Sequence, residues 1–187
     1  MKSGPQAGEK LAGPFHPLNI NGEKACPYCS NGDKPVAMVF ARSASKDVET
    51  LAKKLEAACA KTDELASFFV FCSDADGLEA KLKKVAKDAE LKKVVLSIDN
   101  PAGPKGYKVS KDAEVTVVLY KNRKVVENKT FADGKISEKD IEAICEAAMK
   151  MAKWVGSCDH GRAGPPQGGP ARSFARRVPV PRCRFGL

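Results

Sequence analysis

The stretch that decides the fold is Pro35-Val-Ala-Met-Val-Phe-Ala41, an uninterrupted apolar run. A run of this length without polar alternation predicts a strand that is buried on both faces of a sheet. A second such run, Ala66-Ser-Phe-Phe-Val-Phe-Cys72, follows it after a segment whose apolar residues have helical spacing. A strand, a helix and a second strand in this order predict a right-handed βαβ unit with parallel strands.

The alternation of strands and helices continues on the C-terminal side of this unit. The predicted elements are a helix, a strand, a loop, a two-stranded hairpin and a final helix, over 77–90, 94–98, 100–112, 115–131 and 137–152. A three-residue turn joins the two strands of the hairpin, which makes them antiparallel. Ser137, with an acidic residue three positions later, predicts the start of the last helix. The predicted fold class is therefore α/β, a three-layer α/β/α arrangement with a mixed central sheet.

Composition and charge divide the 187-residue chain into three parts. Residues 1–35 are rich in Gly, Pro and Asn and predict an irregular arm that packs on the domain formed by residues 36–155. The composition of residues 156–187, which contain six arginines and one acidic residue, predicts a disordered basic tail. The tail therefore carries +5 of the net charge of +9 and the rest of the chain carries +4, an ordinary value, so we expect no nucleic-acid binding by the folded domain. No apolar stretch approaches the roughly 20 residues that span a bilayer.

Seven cysteines are present, and two of them form the motif Cys26-Pro27-Tyr28-Cys29. In one interpretation the pair exchanges disulfides from a loop, with Cys26 attacking and Cys29 resolving the mixed disulfide. In a second it is half of a zinc site, which would need Cys158 and His160 from the tail. In a third it is a static disulfide, or two thiols, that staples the arm to the sheet. We expect neither a metal nor another cofactor.

Three further cysteines, Cys59, Cys72 and Cys145, fall at apolar positions of predicted helices and strands. A free cysteine at such a position acts as a small hydrophobic side chain.

Several segments together resemble the thioredoxin-like superfamily, in its branch of peroxiredoxins and TlpA-type proteins. The resemblance is carried by Gln6–Phe15 with Leu18–Gly22, by the strand Val36–Ala41, by Gly106–Val109 before Val115–Tyr120, and by the turn Lys121–Val125. The chain is also similar to uncharacterised thioredoxin-like proteins of planctomycete type. The resemblance covers about 150 residues and implies the thioredoxin-like fold.

The chain departs from this family at its redox site. The family places its cysteines directly after the first core strand, where this chain has a turn containing Arg42, Ser43 and Ser45. The position that matches the family's cis-proline, before Thr116, is Val115. The motif at 26–29 precedes the core strand instead of following it, and the turn-rich residues after it predict no helix.

These departures favour a redox-inactive thioredoxin-like module that binds a protein partner or serves a structural role. The alternative is a thiol–disulfide oxidoreductase that uses Cys26 and Cys29, so activity as an enzyme stays open. Exposure of the pair would discriminate between the two, because a disulfide sealed under the arm cannot exchange with other proteins. Met1–Gly13 has no apolar run of a signal peptide. We nevertheless expect a periplasmic or exported protein, with the cytoplasm as the alternative.

Overall fold

The computed structural model describes residues 1–153, and the predicted tail lies outside them. Ten elements follow one another along the chain: β1 (Leu18–Asn19), α1 (Pro27–Asn31), β2 (Val36–Ala41), α2 (Lys46–Lys61), β3 (Ala66–Cys72), α3 (Leu78–Asp88), β4 (Val94–Asp99), β5 (Val115–Lys121), β6 (Lys124–Phe131) and α4 (Glu138–Lys153). The predicted βαβ unit, the hairpin and the last helix are all present.

The six strands form one mixed sheet in the order β1-β4-β3-β2-β5-β6. Strands β2, β3 and β4 are parallel, because α2 and α3 return the chain to the same end of the sheet each time. Strand β5 lies antiparallel to β2, with Val36 opposite Tyr120 and Ala41 opposite Val115. Every residue of β2 is buried, as its continuous apolar run predicts.

The two faces of the sheet are covered differently. On the first face, the buried residues of α2, α3 and α4 form the first core cluster together with alternate residues of β2 such as Ala37 and Val39. On the second face, Met38 and Phe40 of the same strand belong to the second core cluster, which is covered by the arm, by the loop before β5 and by α1. Phe15 of the arm packs edge-on against Tyr107 of that loop, with ring centroids 4.9 Å apart.

The arm contains two short elements that the sequence did not predict. Strand β1 pairs antiparallel with the edge of β4 through Leu18 and Ile98. Helix α1 begins at the second residue of the cysteine motif, so the prediction of no helix there is wrong. Pro27 at its first position needs no hydrogen-bond donor, and Gly32, with a φ of +53°, ends it.

The predicted α/β fold class is confirmed, with a mixed central sheet that has α2, α3 and α4 against one face and the short α1 against the other. Cys59, Cys72 and Cys145 are buried and free, as their apolar positions indicate. Ser137 accepts a hydrogen bond from the backbone N–H of Asp140 at 3.2 Å, which confirms the predicted helix start. Within residues 1–153, no helix is both long and apolar enough to cross a membrane.

Candidate functional site

The candidate site is the pair Cys26 and Cys29, which forms a disulfide across the first turn of α1. The two Cα atoms are 5.2 Å apart, which lies within the range that a disulfide bridges. Cys26 is the residue that caps the helix, and its Sγ accepts a hydrogen bond from the backbone N–H of Cys29 at 3.1 Å. Its carbonyl oxygen accepts the backbone N–H groups of Cys29 and Ser30, both at 3.0 Å.

The disulfide is accessible from solvent. Cys29 is exposed and Cys26 is half-buried, while the arm covers other parts of the second face. An exposed disulfide can be reached by a thiolate from another molecule, which is the geometric requirement for exchange.

Helix α1 is held against the domain by Tyr28, which lies between the two cysteines. Its ring packs against the second core cluster, and the Arg123 guanidinium lies 5.1 Å from the ring centroid. Arg123 also faces the Asp33 carboxylate, with 3.7 Å between nitrogen and oxygen. Sequence reasoning missed these contacts, because Arg123 comes from the β5–β6 turn and nothing local in the chain indicates where it lies.

The pair lies at the opposite end of the sheet from the position where the thioredoxin-like proteins that the sequence resembles have their redox site. Cys29 comes before the start of β2, close to the β5–β6 turn, whereas Arg42 directly follows the end of that strand. Six residues of strand separate the two ends by about 20 Å. The structure therefore does not bring the cysteines together with Arg42, Ser43 or Ser45.

At the usual redox position, Arg42 ties the loop 100–113 to the end of β2. Its guanidinium donates to the carbonyl oxygens of Ala113 at 3.1 Å, Pro101 at 2.9 Å and Ser110 at 2.9 Å. Ser45 caps α2, since its Oγ accepts the backbone N–H of Val48 at 3.4 Å. The side chains of Arg42 and Ser45 therefore both make contacts that stabilise the fold.

The other predicted positions at this end have structural contacts as well. Ser43 donates to the Glu114 carboxylate at 3.3 Å. Val115 points into the core beneath the long helices, and the buried Thr116 hydroxyl is hydrogen-bonded to Ser3 of the arm at 2.7 Å. A cleft of about 210 Å³ opens beside Arg42 and Ser43, and it contains no cysteine.

The three free cysteines of residues 1–153 lie outside the candidate site. Burial raises the pKa of Cys59 and of Cys145 to about 11, and that of Cys72 to about 12. These thiols therefore stay protonated at neutral pH, where a thiol is a poor nucleophile. Within residues 1–153 no three His, Cys, Asp or Glu side chains cluster as metal ligands, and the Cys158 and His160 of the zinc hypothesis lie outside this part of the chain.

No protein-family model and no curated protein matches the chain, but solved structures do. A candidate protein disulfide isomerase from Bacteroides thetaiotaomicron has a TM-score of 0.63 and 19% identity, covering 82% of this chain and 95% of its own. A thiol peroxidase from Chromobacterium violaceum has a TM-score of 0.58 and 13% identity, covering 80% and 90%. A secreted disulfide oxidoreductase from Mycobacterium tuberculosis has a TM-score of 0.51 and 12% identity, and the match covers 71% of this chain and 95% of that protein. These likenesses show that the chain has the thioredoxin-like fold.

Proposed function

We propose that this protein carries out thiol–disulfide exchange through Cys26 and Cys29. The observation that carries the proposal is the exposed disulfide on α1, the one disulfide bond within residues 1–153. In the reductive direction, the dithiol transfers two electrons and two protons to a substrate disulfide and ends as the disulfide. In the oxidative direction the same steps run backwards, and a substrate dithiol is oxidised.

The geometry argues against a static staple. The disulfide joins residues three apart within one helical turn, so it cross-links no distant parts of the chain. Other contacts attach the arm to the domain, among them backbone hydrogen bonds from Gly8 to Val125 at 2.8 Å and from Leu11 to Arg123 at 3.0 Å. Closing a loop of four residues stabilises a fold by about 2 kcal/mol on the chain-entropy model, well below the gain from a long loop.

The expectation of a redox-inactive module is not supported, because the pair is accessible and forms a disulfide. Solved structures with this fold include proteins named for disulfide isomerisation, disulfide oxidoreduction and peroxide reduction. Fold alone does not transfer those activities, since the cysteines here lie at the other end of the sheet. The proposal therefore depends on Cys26 and Cys29 themselves.

We further propose that the protein works in an oxidising compartment outside the cytoplasm. Disulfides persist in such compartments, and one structural neighbour is described as secreted and another as an exposed lipoprotein thioredoxin. Trapping free thiols with a maleimide in intact cells of the source organism tests this. A pair found fully reduced in the cell would contradict it.

The reduction potential of the pair tests the exchange function. The full chain is equilibrated in glutathione and dithiothreitol buffers, alkylated with N-ethylmaleimide and digested with trypsin. The peptide 25–42 contains both cysteines and no other, so mass spectrometry reads the pair alone. We expect a reversible two-electron transition between about −270 and −120 mV, the range of thiol–disulfide oxidoreductases.

A Cys145→Ser variant is the matched control and should leave the midpoint unchanged, because that thiol is buried elsewhere. A pair that stays oxidised below about −300 mV would show a structural disulfide and refute the proposed function. A pair that never oxidises would refute it equally.

A further inference from the structure

The two cysteines of the disulfide have different surroundings. Cys29 is exposed, whereas Cys26 is half-buried. The Cys26 Sγ accepts the backbone N–H of Cys29 at 3.1 Å, and its carbonyl oxygen accepts the Ser30 hydroxyl at 3.0 Å in addition to two backbone N–H groups. Cys26 is therefore fixed by hydrogen bonds at both its side chain and its backbone.

From this asymmetry, and resting on the proposed function, we infer that Cys29 is the cysteine that bonds covalently to the substrate and that Cys26 is the resolving cysteine. The sequence suggested the reverse order, with Cys26 attacking and Cys29 resolving; in sequence, Cys26 is the cysteine nearer to the basic Lys24. The exposure of Cys29 favours the opposite order. An external thiolate must reach the sulfur that it attacks in line with the S–S bond that breaks, and the exposed cysteine offers that approach.

The chemistry balances in both directions. When a substrate dithiol is oxidised, its thiolate attacks the Cys29 sulfur, the bond between the two cysteines breaks, and Cys26 leaves as a thiolate. The second substrate thiolate then attacks the substrate sulfur of the mixed disulfide, and Cys29 leaves. When a substrate disulfide is reduced, the Cys29 thiolate attacks it, one substrate sulfur leaves as a thiolate, and the Cys26 thiolate then displaces the substrate from Cys29.

The hydrogen bond to Cys26 suits a leaving or resolving group. A backbone N–H that points at a sulfur atom stabilises the negative charge when that sulfur becomes a thiolate. The donor belongs to Cys29 itself, so the contact is kept while Cys29 is bonded to the substrate. Tyr28, packed between the core and Arg123, keeps the turn in place during both steps.

Competitive alkylation of the wild-type protein tests the inference without any variant. The reduced full chain is treated with a limiting amount of iodoacetamide at pH 10, well above the ordinary pKa of about 8.5 of a cysteine thiol, so that the label reports accessibility and not the fraction of thiolate. The reaction is then quenched, the chain is digested, and the singly labelled peptide 25–42 is fragmented to locate the label. We expect Cys29 to carry about tenfold more label than Cys26, because the exposed thiol is the more accessible. Equal labelling, or more label on Cys26, would overturn the inference.

Single variants give the second readout. With oxidised glutathione, Cys26→Ser should form the mixed disulfide at Cys29 about tenfold faster than Cys29→Ser forms it at Cys26. Faster reaction of the Cys29→Ser variant would overturn the assigned order even if the wild-type pair has the potential of an oxidoreductase. A wild-type pair with a reduction potential below about −300 mV would instead refute the proposed function. In that case the alkylation pattern would still report which of the two cysteines is more accessible.

Discussion

Replacing Arg42 by methionine tests whether the usual redox position now serves the fold. Methionine keeps the unbranched apolar stem of arginine and removes all three donations to the loop 100–113. The hydrogen bond to Pro101 is exposed to solvent, so water can replace it at little cost. The bonds to Ala113 and Ser110 are partly buried. Losing them removes the side-chain donor to the Ala113 carbonyl oxygen and leaves the Ser110 carbonyl oxygen with the longer backbone bond from Ala113 at 3.4 Å.

A hydrogen bond from a charged group contributes about 1.5–3 kcal/mol when it is well shielded. Arg42 is half-buried, so we discount each of the two shielded bonds to about 1 kcal/mol. Arg42→Met should therefore lower the free energy of unfolding by about 2 kcal/mol in urea denaturation. Hydrogen exchange within residues 100–113 should accelerate more than exchange in β2, because the loop loses its attachment.

Arg123→Met is the matched control, since Arg42 and Arg123 are the two arginines of residues 1–153. Arg123 is half-exposed and lies over Tyr28, an arrangement that contributes about 0.5–1 kcal/mol. An Arg42→Met variant within about 0.5 kcal/mol of wild type would refute the structural role of Arg42. Equal losses of unfolding free energy in Arg42→Met and Arg123→Met would also refute it, because the partly buried hydrogen bonds of Arg42 would then stabilise the fold no more than an exposed arginine does.

Three further outcomes are expected from other parts of the molecule. Replacing both Cys26 and Cys29 by serine should cost about 2 kcal/mol in urea denaturation, as should adding a reductant to wild type; a loss above about 4 kcal/mol would indicate a staple. Tyr107→Phe removes a hydroxyl that donates to the Gly13 carbonyl at 2.7 Å, so it should cost about 1 kcal/mol; unchanged stability would show that this contact is not stabilising. Burial raises the pKa of Cys72 from 9.0 to about 12, so the unfolded state loses this proton first and stability falls as pH rises from about 9 towards 12. In urea denaturation across this pH range, Cys72→Ala should reduce the fall of the unfolding free energy with pH by up to about 1.4 kcal/mol per pH unit. If the unfolding free energies of wild type and variant fall equally steeply with pH, the raised pKa of Cys72 is contradicted.

The apolar runs of the sequence were sufficient to predict the central strands and their order along the chain. Val36–Ala41 and Ala66–Cys72 are strands of the sheet with the predicted bounds, except that Pro35 precedes the first. Local sequence succeeds here because a strand buried on both faces needs apolar residues at every position. Helix α4 was predictable for a similar reason, since both its buried stripe and its first hydrogen bonds come from neighbouring residues.

The short elements of the arm could not be predicted, because contacts distant in sequence stabilise them. Strand β1 has two residues and exists through pairing with β4. Helix α1 has five residues, too few to be stable alone, and Tyr28 holds it against the core and Arg123. The sequence around Gly32 correctly indicated a turn but not the helix that precedes it.

The sequence by itself determined the class of fold, the burial of the three free thiols and the absence of cysteine from the usual redox position. Only the tertiary structure decided that Arg42 fastens a loop at that position and that the cysteine pair lies accessible at the opposite end of the sheet. Apolar periodicity is a local property, so it can be read from neighbouring residues. The partners of Arg42 lie up to 71 residues away in the sequence, and Arg123 lies farther still from the cysteine turn whose Tyr28 it contacts, so only the folded chain brings these groups together.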